Sequence, residues 1–171
     1  MNLVFLDTET TGLDPDRHEV WEIAWAVNDG PIRSTQLPHS LRHADPTALS
    51  MNGYTKRGGV TLLEASIKLE SEVKEALTGS ILVAANPAFD ASFLRARWGA
   101  APWHYRLWDL EAFAAGVLSM SEPKGLAFIA EALGHYGFDI PKPDHSAAAD
   151  VATLRASFRA LQDINNRKAT S

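Results

Sequence analysis

The sequence predicts a single α/β domain built on a mixed sheet. Three observations lead to this fold class: an alternating apolar N-terminal segment, a hairpin-like series of strands after it, and a later succession of helices and short apolar strands. Of the 171 residues, 46% are hydrophobic and 22% are charged, which is typical of a compact domain and not of a disordered or fibrous chain. We find no linker or repeat, and we therefore assign one domain to residues 1–164 and a short polar tail to residues 165–171.

The first part of the chain is predicted to form three antiparallel strands. Leu3–Glu9 alternates as a strand does, so that its odd-numbered residues share one face. A second strand is predicted over Val20–Val27. Asn28-Asp29-Gly30 then favours a hairpin turn into a third strand, Ile32–Leu37. Such a meander would supply the antiparallel part of the sheet.

Helices and short strands are predicted to alternate in the rest of the chain. Thr61 and Glu64 have the spacing of a capping box, and the helical apolar pattern that follows continues to Leu77. The short apolar run Ile81–Ala85 is typical of a buried strand. Three later elements complete the pattern: a strand at Leu107–Leu110, a helix at Gly125–Leu133 that Gly134 closes, and a last helix at Ser146–Leu161.

One further helix follows the fourth strand. Asn86 is expected to be its N-cap, because asparagine accepts hydrogen bonds from the first free N–H groups of a helix. Pro87 fits the first helical position, where a missing N–H costs nothing.

The composition excludes several classes of protein. Since the chain has no cysteine, it has no disulfide, no thiolate zinc site and no iron–sulfur cluster, and any metal must be held by oxygen or imidazole. No apolar run approaches the roughly 20 residues of a membrane span, and Leu3–Leu6 lacks the basic flank of a signal peptide, so we expect a soluble, cytoplasmic protein. The net charge of −5 argues against a broad basic surface for nucleic acid, although bound cations at one site would still attract a phosphate.

Four carboxylates occupy positions that suggest a shared site. Asp7 and Glu9 are two residues apart on a strand, so their side chains project from the same face, roughly 6–7 Å apart, and are spaced to share a cation. A strand end that reaches solvent is the plainer explanation of such a pair. Asp90 and Asp150 fall on the apolar faces of their predicted helices. Because a buried, unpaired carboxylate costs several kcal/mol, these two need a metal, a donor or separate ion pairs.

His145 stands just before the last helix, five residues ahead of Asp150. For a histidine in this position, helix capping or a structural hydrogen bond is the default role. None of the six histidines belongs to an HExxH zinc motif. The proximity of His145 to an inward-facing acid is what makes it a candidate for chemistry.

Three segments together resemble the motifs of the DEDDh exonuclease family. They are Phe5-Leu6-Asp7-Thr8-Glu9-Thr10-Thr11-Gly12, Asn86-Pro87-Ala88-Phe89-Asp90-Ala91-Ser92-Phe93-Leu94 and His145-Ser146-Ala147-Ala148-Ala149-Asp150. They occur in the family's order, and the last has the H-x4-D spacing of the histidine branch. The resemblance implies a ribonuclease-H-like fold, with a mixed five-stranded sheet flanked by helices, and it makes Ala48–Gly53 the loop before the first long helix.

The resemblance also implies an activity and a set of site residues. It implies a 3′→5′ exonuclease that releases nucleoside 5′-monophosphates from single-stranded 3′ ends with two divalent ions, Mg²⁺ or Mn²⁺. The implied metal ligands are Asp7, Glu9, Asp90 and Asp150, and the implied general base is His145. The implied substrate contacts are Thr10, Thr11, Gly12, Leu13, Met51, Asn52, Asn86 and Phe89, of which Phe89 is equally suited to a plain core role.

Three functions remain open from the sequence. A DNA exonuclease, with a proofreading role beside a DNA polymerase, is the first. The second is an exoribonuclease of the oligoribonuclease or ribonuclease T type, and the third is a catalytically idle binding subunit of a polymerase. The complete set of four acids and one histidine favours an enzyme, because a binding module needs no such set. Neither the choice between DNA and RNA nor the oligomeric state follows from the sequence.

Overall fold

A computed structural model describes residues 1–57 and 63–170, without the side chains of residues 63–65. In this part of the chain five strands form one sheet: β1 (Leu3–Thr10), β2 (Val20–Val27), β3 (Arg33–Gln36), β4 (Ile81–Ala84) and β5 (Trp108–Asp109). Their order is β3-β2-β1-β4-β5. The pairs β1–β2 and β2–β3 are antiparallel, whereas β1–β4 and β4–β5 are parallel. The predicted mixed sheet with an antiparallel start is confirmed.

Helices cover both faces of this sheet. They are α1 (Pro46–Met51), α2 (Tyr54–Arg57), α3 (Leu63–Leu77), α4 (Pro87–Trp98), α5 (Leu110–Val117), α6 (Leu126–His135) and α7 (Ala147–Ala169). One core layer joins the sheet to α5, α6 and α7, and a second joins it to α3 and α4. The arrangement is three-layered, with the sheet in the middle. Among the described residues, no helix combines the length and the apolar character that crossing a membrane requires.

Alternation along β1 decides which side chains meet which helices. Phe5 lies in the layer under α7, where its ring meets that of Phe158 edge-on at 5.3 Å. Val4 and Leu6 lie in the opposite layer, under α3 and α4. Because successive side chains of a strand alternate between faces, the odd-numbered positions at the end of β1 face α7 and the even-numbered ones face α4.

A register shift interrupts the β1–β2 ladder near its end. Glu9 is opposite Glu22, but the next residue, Thr10, is opposite Val20. Trp21 is thus the extra residue of a bulge, a device that bends a strand and is common beside functional sites. It also leaves Glu22 directly across from Glu9.

Two predicted helix ends are wrong. The sixth helix does not end at Gly134 but continues to His135, and the chain turns at Gly137, whose φ is +86°. The last helix does not end at Leu161 but runs to Ala169, so most of the segment we set apart as a polar tail is helical. Burial explains the extension, because Ile164 still packs in the core and Lys168 Nζ donates to the carbonyl of Val117 at 2.8 Å.

Two short helices replace structure predicted as strand or loop. The predicted strand Leu107–Leu110 is reduced to two residues, because Asp109 accepts a hydrogen bond from Ala112 N at 2.8 Å and starts α5. The predicted loop Ala48–Gly53 is largely α1, which Asp45 caps by accepting from Thr47 N at 2.7 Å. In both places an aspartate N-cap outweighs the local pattern.

The predictions for the starts of α3 and α4 and for the bounds of β3 have different outcomes. Thr61 and the side chain of Glu64, which would form the predicted capping box, lie outside the part of the chain that the structure describes. Asn86 does occupy the N-cap position of α4, with Pro87 at the first turn, but its side chain makes no capping hydrogen bond. The third strand is shorter than predicted, Arg33–Gln36.

Candidate active site

Three carboxylates converge at the end of β1 that faces α7. Asp7 and Glu9 project from the strand, and Asp150 projects from the first turn of α7. Each of the three side chains offers one carboxylate oxygen, and these three oxygens lie within 4.8 Å of one another. The three side chains that the sequence suggested for a shared site therefore lie close together.

Asp90 approaches the same strand from the opposite face. It is only 4% exposed, on the inner side of α4, as its helical position predicts. Thr8, whose side chain faces α4, donates its hydroxyl to Asp90 Oδ1 at 2.7 Å. Asp90 is not part of the three-carboxylate cluster, but its charge raises the pKa of Asp7, so it contributes to the same electrostatic field.

Burial raises the pKa of all four acids, and repulsion from neighbouring carboxylates adds to this effect at Asp7 and Glu9. Desolvation raises the pKa of Asp7 well above its usual value, with the neighbouring carboxylates adding to the effect. Desolvation raises the pKa of Glu9 to about 8, against the opposing charge of Arg57. It raises the pKa of Asp90 to about 7, although the hydrogen bond from Thr8 opposes it. The pKa of Asp150 is raised by burial too.

This donor set fits divalent metal ions. The converging ligands are carboxylate oxygens, which are hard donors of the type that Mg²⁺ and Mn²⁺ prefer. Acids that repel one another in the free protein gain stability when a cation neutralises them. The three clustered carboxylates are the candidate ligands of one ion, and Asp90 contributes negative charge from the other face of the sheet.

His145 occupies the loop that leads into α7. Its backbone has φ +61°, a left-handed conformation that is uncommon for residues with a Cβ. The loop is tied on both sides: Asp144 N donates to Asp150 Oδ1 at 3.1 Å, and Asp144 Oδ1 accepts from Ser146 N at 2.9 Å. The imidazole is exposed at the edge of the acidic cluster.

A cavity of about 210 Å³ opens beside the acids. It is lined by Thr8, Glu9, Thr10, Leu13, Asp45, Thr47, Ala48, Met51, Asn52, Phe89 and His145. Leu13 and Met51 are 77% and 63% exposed, which is high for apolar side chains. Apolar groups at the rim and carboxylates in the wall give the cavity the character of a ligand site.

The predicted substrate contacts fall into two groups. Five of them line the cavity: Thr10, Leu13, Met51, Asn52 and Phe89. Three do not line it. Thr11 is buried, and its hydroxyl accepts from Glu19 N at 2.9 Å. Gly12 accepts from the Thr10 hydroxyl, and an added Cβ would come within 2.5 Å of His18. Asn86 is exposed at the start of α4.

Sequence reasoning missed the wall that α1 supplies. Asp45, Thr47 and Ala48 line the cavity, and an Asp-Pro pair at a helix start was the signal that would have revealed them. Asn52 anchors this wall, since its Nδ2 donates to the carbonyl of Thr10 at 2.9 Å.

The raised pKa values predict how the stability of the metal-free protein depends on pH. Between about pH 5 and 8 the unfolded chain has ionised carboxylates, while the folded chain retains protons on Glu9 and Asp90. The folded state then binds more protons than the unfolded state, so the free energy of unfolding falls as pH rises. We expect a melting temperature in EDTA that is several degrees lower at pH 8.5 than at pH 5.5, on a scale of roughly 2–4 °C per kcal/mol.

Two comparisons test this prediction. Saturating Mn²⁺ should raise the melting temperature more at pH 8.5 than at pH 5.5, because the metal binds deprotonated carboxylates. Glu9→Gln should flatten the dependence in EDTA, since the side chain no longer titrates. A metal-free protein that gains stability up to pH 8.5 would contradict the assignment of these buried acids.

Comparison with known proteins agrees with this architecture. The exonuclease family RNase_T matches residues 4–158. An oligoribonuclease of Buchnera aphidicola subsp. Baizongia pistaciae (strain Bp) is 34% identical over 84 residues, which cover 43% of this chain and 51% of that protein. The chain thus spans about half the length of this curated relative.

Solved structures of exonuclease I have the same fold. Exonuclease I of E. coli in complex with a dA16 oligonucleotide has a TM-score of 0.69 and 18% identity, over 97% of this chain and 41% of that chain. A moderately thermophilic exonuclease I from Methylocaldum szegediense has a TM-score of 0.61 and 18% identity, over 98% of this chain and 43% of that chain. At this identity the likeness concerns the fold alone.

The family match covers most of the chain, and it includes the strand that carries Asp7 and Glu9 and the helix starts that carry Asp90 and Asp150. The chain therefore belongs to the DEDDh-type 3′→5′ exonuclease family.

Proposed function

We propose that this protein is a metal-dependent 3′→5′ exonuclease that removes nucleoside 5′-monophosphates from single-stranded nucleic acid. The observation that carries the proposal is the convergence of Asp7, Glu9 and Asp150 beside a cavity that His145 also lines. An idle binding subunit has no use for three repelling carboxylates next to an exposed imidazole. Loss of activity in EDTA and its return with Mg²⁺ or Mn²⁺ distinguish an enzyme from such a subunit.

Divalent ions are part of the proposal. Exonucleases of this family depend on divalent metal ions, and the acidic cluster supplies oxygen ligands for them. Asp7, Glu9 and Asp150 would hold one ion, and Asp90 with Asp7 would hold a second. When bound, the ions acidify water and stabilise the charge on the departing oxygen. Mg²⁺ is the expected physiological ion and Mn²⁺ its substitute, because all ligands are hard oxygens.

His145 is proposed as the general base. It lines the cavity beside Glu9, and its residue is exposed to solvent. A neutral imidazole accepts a proton from water near neutral pH, which is the step that phosphodiester hydrolysis needs. The carboxylates of the cluster are less suited to this step because they are committed to the metal ions.

The cavity is proposed to hold the terminal nucleotide. The apolar side chains of Leu13, Met51 and Phe89 would pack against the base, and Thr10 and Asn52 line the same cavity with polar groups. The cavity has a volume of only about 210 Å³, which favours a single unpaired nucleotide over a base pair. The enzyme should therefore require a free, single-stranded 3′ end.

DNA is our first choice of substrate, and proofreading beside a DNA polymerase is the corresponding role. The similarity to an oligoribonuclease favours short RNA as a second candidate. Hydrolysis of matched DNA and RNA oligonucleotides of equal length, with products resolved by size, decides between the two.

The proposed function predicts the direction of digestion and the strand form of the preferred substrate. A 5′-labelled single strand should yield a ladder that shortens from the 3′ end, and a duplex with a mispaired 3′ terminus should be degraded faster than a matched one, which must first fray. Circular single strands serve as the control and should remain intact. Cleavage of circles, or shortening from the 5′ side, would overturn the exonuclease proposal.

A further inference from the structure

Arg57 contacts both walls of the cavity although it does not line it. Its guanidinium forms an ion pair with Glu22, and its Nη2 donates to the carbonyl oxygen of His145 at 2.8 Å. Its Nε donates to the carbonyl oxygen of Asn52 at 3.0 Å, and its charge lies 4.7 Å from the centre of the Trp21 ring. The side chain is 24% exposed. One side chain thus joins the end of α1, strand β2 and the loop before α7.

Glu22 completes the connection from the other side. The same carboxylate oxygen that pairs with Arg57 accepts a hydrogen bond from Ala147 N at 3.2 Å. Glu22 lies across the β1–β2 ladder from Glu9, so it is fixed relative to the acidic cluster. Arg57 holds the carbonyl of His145, and Glu22 holds the N–H two residues later.

The backbone at His145 has a particular need for such support. Its left-handed conformation is unfavourable for a residue with a Cβ and persists only where surrounding contacts impose it. Arg57 contacts the carbonyl of the peptide group that follows the Cα of His145, and Glu22 contacts the N–H of the next peptide group along the chain. The direction of the imidazole depends on that backbone, since the ring is exposed and is not packed in the core.

We propose that Arg57, together with its ion-pair partner Glu22, is a positioning residue. It holds His145 at a fixed position relative to the cavity wall that α1 supplies. The inference rests on the proposed function, because it assumes that His145 acts on the substrate. Arg57 does not line the cavity, although its charge also acts on Glu9. The proposed positioning effect is transmitted through the carbonyls of His145 and Asn52.

The kinetic test is a double-mutant cycle with His145. Arg57→Ala should lower the single-turnover rate at saturating substrate by about 10- to 100-fold, because small displacements of a catalytic group have effects of this size. In the background of His145→Asn, which tolerates the left-handed backbone, the same change should have almost no further effect on the rate. Arg57→Lys keeps the charge but not the planar group that contacts Glu22, Asn52 and His145 together, so its single-turnover rate should lie between those of the wild type and Arg57→Ala.

Arg97 offers a matched control. It pairs with Glu70 and donates to the carbonyl of Pro38, at an exposure of 19% that is close to that of Arg57. Arg97→Ala should destabilise the fold without changing the single-turnover rate of the folded protein. Equal rate losses from Arg57→Ala with and without the imidazole would overturn the inference, as would a raised KM with an unchanged rate, which would indicate a phosphate contact.

A spectroscopic readout separates this inference from the proposed function. The ring signal of His145 in a ¹H–¹³C spectrum, assigned through His145→Asn, should shift or broaden in Arg57→Lys and stay unchanged in Arg97→Ala. An unchanged His145 signal in Arg57→Lys would refute the positioning role whatever the activity. Wild-type protein without nuclease activity, but with the expected spectral change, would refute the proposed function and leave the positioning of His145 supported.

Discussion

Asp7→Ala is expected to lower turnover by roughly 10³-fold or more, the scale seen when one member of an interdependent catalytic set is removed. Asp7 lies among the other carboxylates, since the charges of Asp90, Glu9 and Asp150 all raise its pKa. Removing it should leave too few oxygens to hold the proposed pair of ions. The measurement is the steady-state rate on a labelled single strand at several Mn²⁺ concentrations.

The same variant should be as stable as the wild type in EDTA, or more stable, because it removes a crowded, desolvated charge. Stabilisation by Mn²⁺ should shrink, because a ligand stabilises a protein according to its affinity for the folded state. Glu75→Ala, which removes an exposed carboxylate near the end of α3, is the control and should change neither property. Wild-type turnover with unaltered metal dependence in Asp7→Ala would show that the acidic cluster is not the active site.

Local periodicity predicted much of the fold and the directions of the acids. The alternation of β1 placed Asp7 and Glu9 on one face, and the helical period placed Asp90 on the inner side of α4; both agree with the structure. These predictions depend only on residues within a few positions of one another. They hold because a strand and a helix repeat regularly over that distance.

Local periodicity does not predict contacts between distant parts of the chain. The alternation did not reveal that Asp90 reaches the site from the opposite side of the sheet, through a hydrogen bond with Thr8. The contact of Arg57 with the carbonyl of His145 joins residues 88 positions apart. Short helices such as α1 and α5 gain their stability from caps and tertiary packing and show little periodicity of their own.

His145→Ala is expected to lower kcat by roughly 10²- to 10⁴-fold, the usual contribution of a positioned general base. KM and Mn²⁺ affinity should change little, because His145 is not one of the three clustered carboxylates proposed to bind the metal. Metal ions alone already acidify water, so the reaction should slow without stopping. Single-turnover rates, Mn²⁺ titrations and melting temperatures on one preparation give all the quantities needed.

A purely structural role for His145 makes different predictions. Alanine disfavours the left-handed backbone found here, whereas asparagine adopts it readily, so His145→Asn should restore any loss that comes from the backbone. If the imidazole is the base, both variants should lose rate to a similar extent, and added imidazole should recover part of it in His145→Ala, where space for the ring is left. Recovery of the wild-type rate in His145→Asn would remove His145 from the mechanism and assign its importance to the turn before α7.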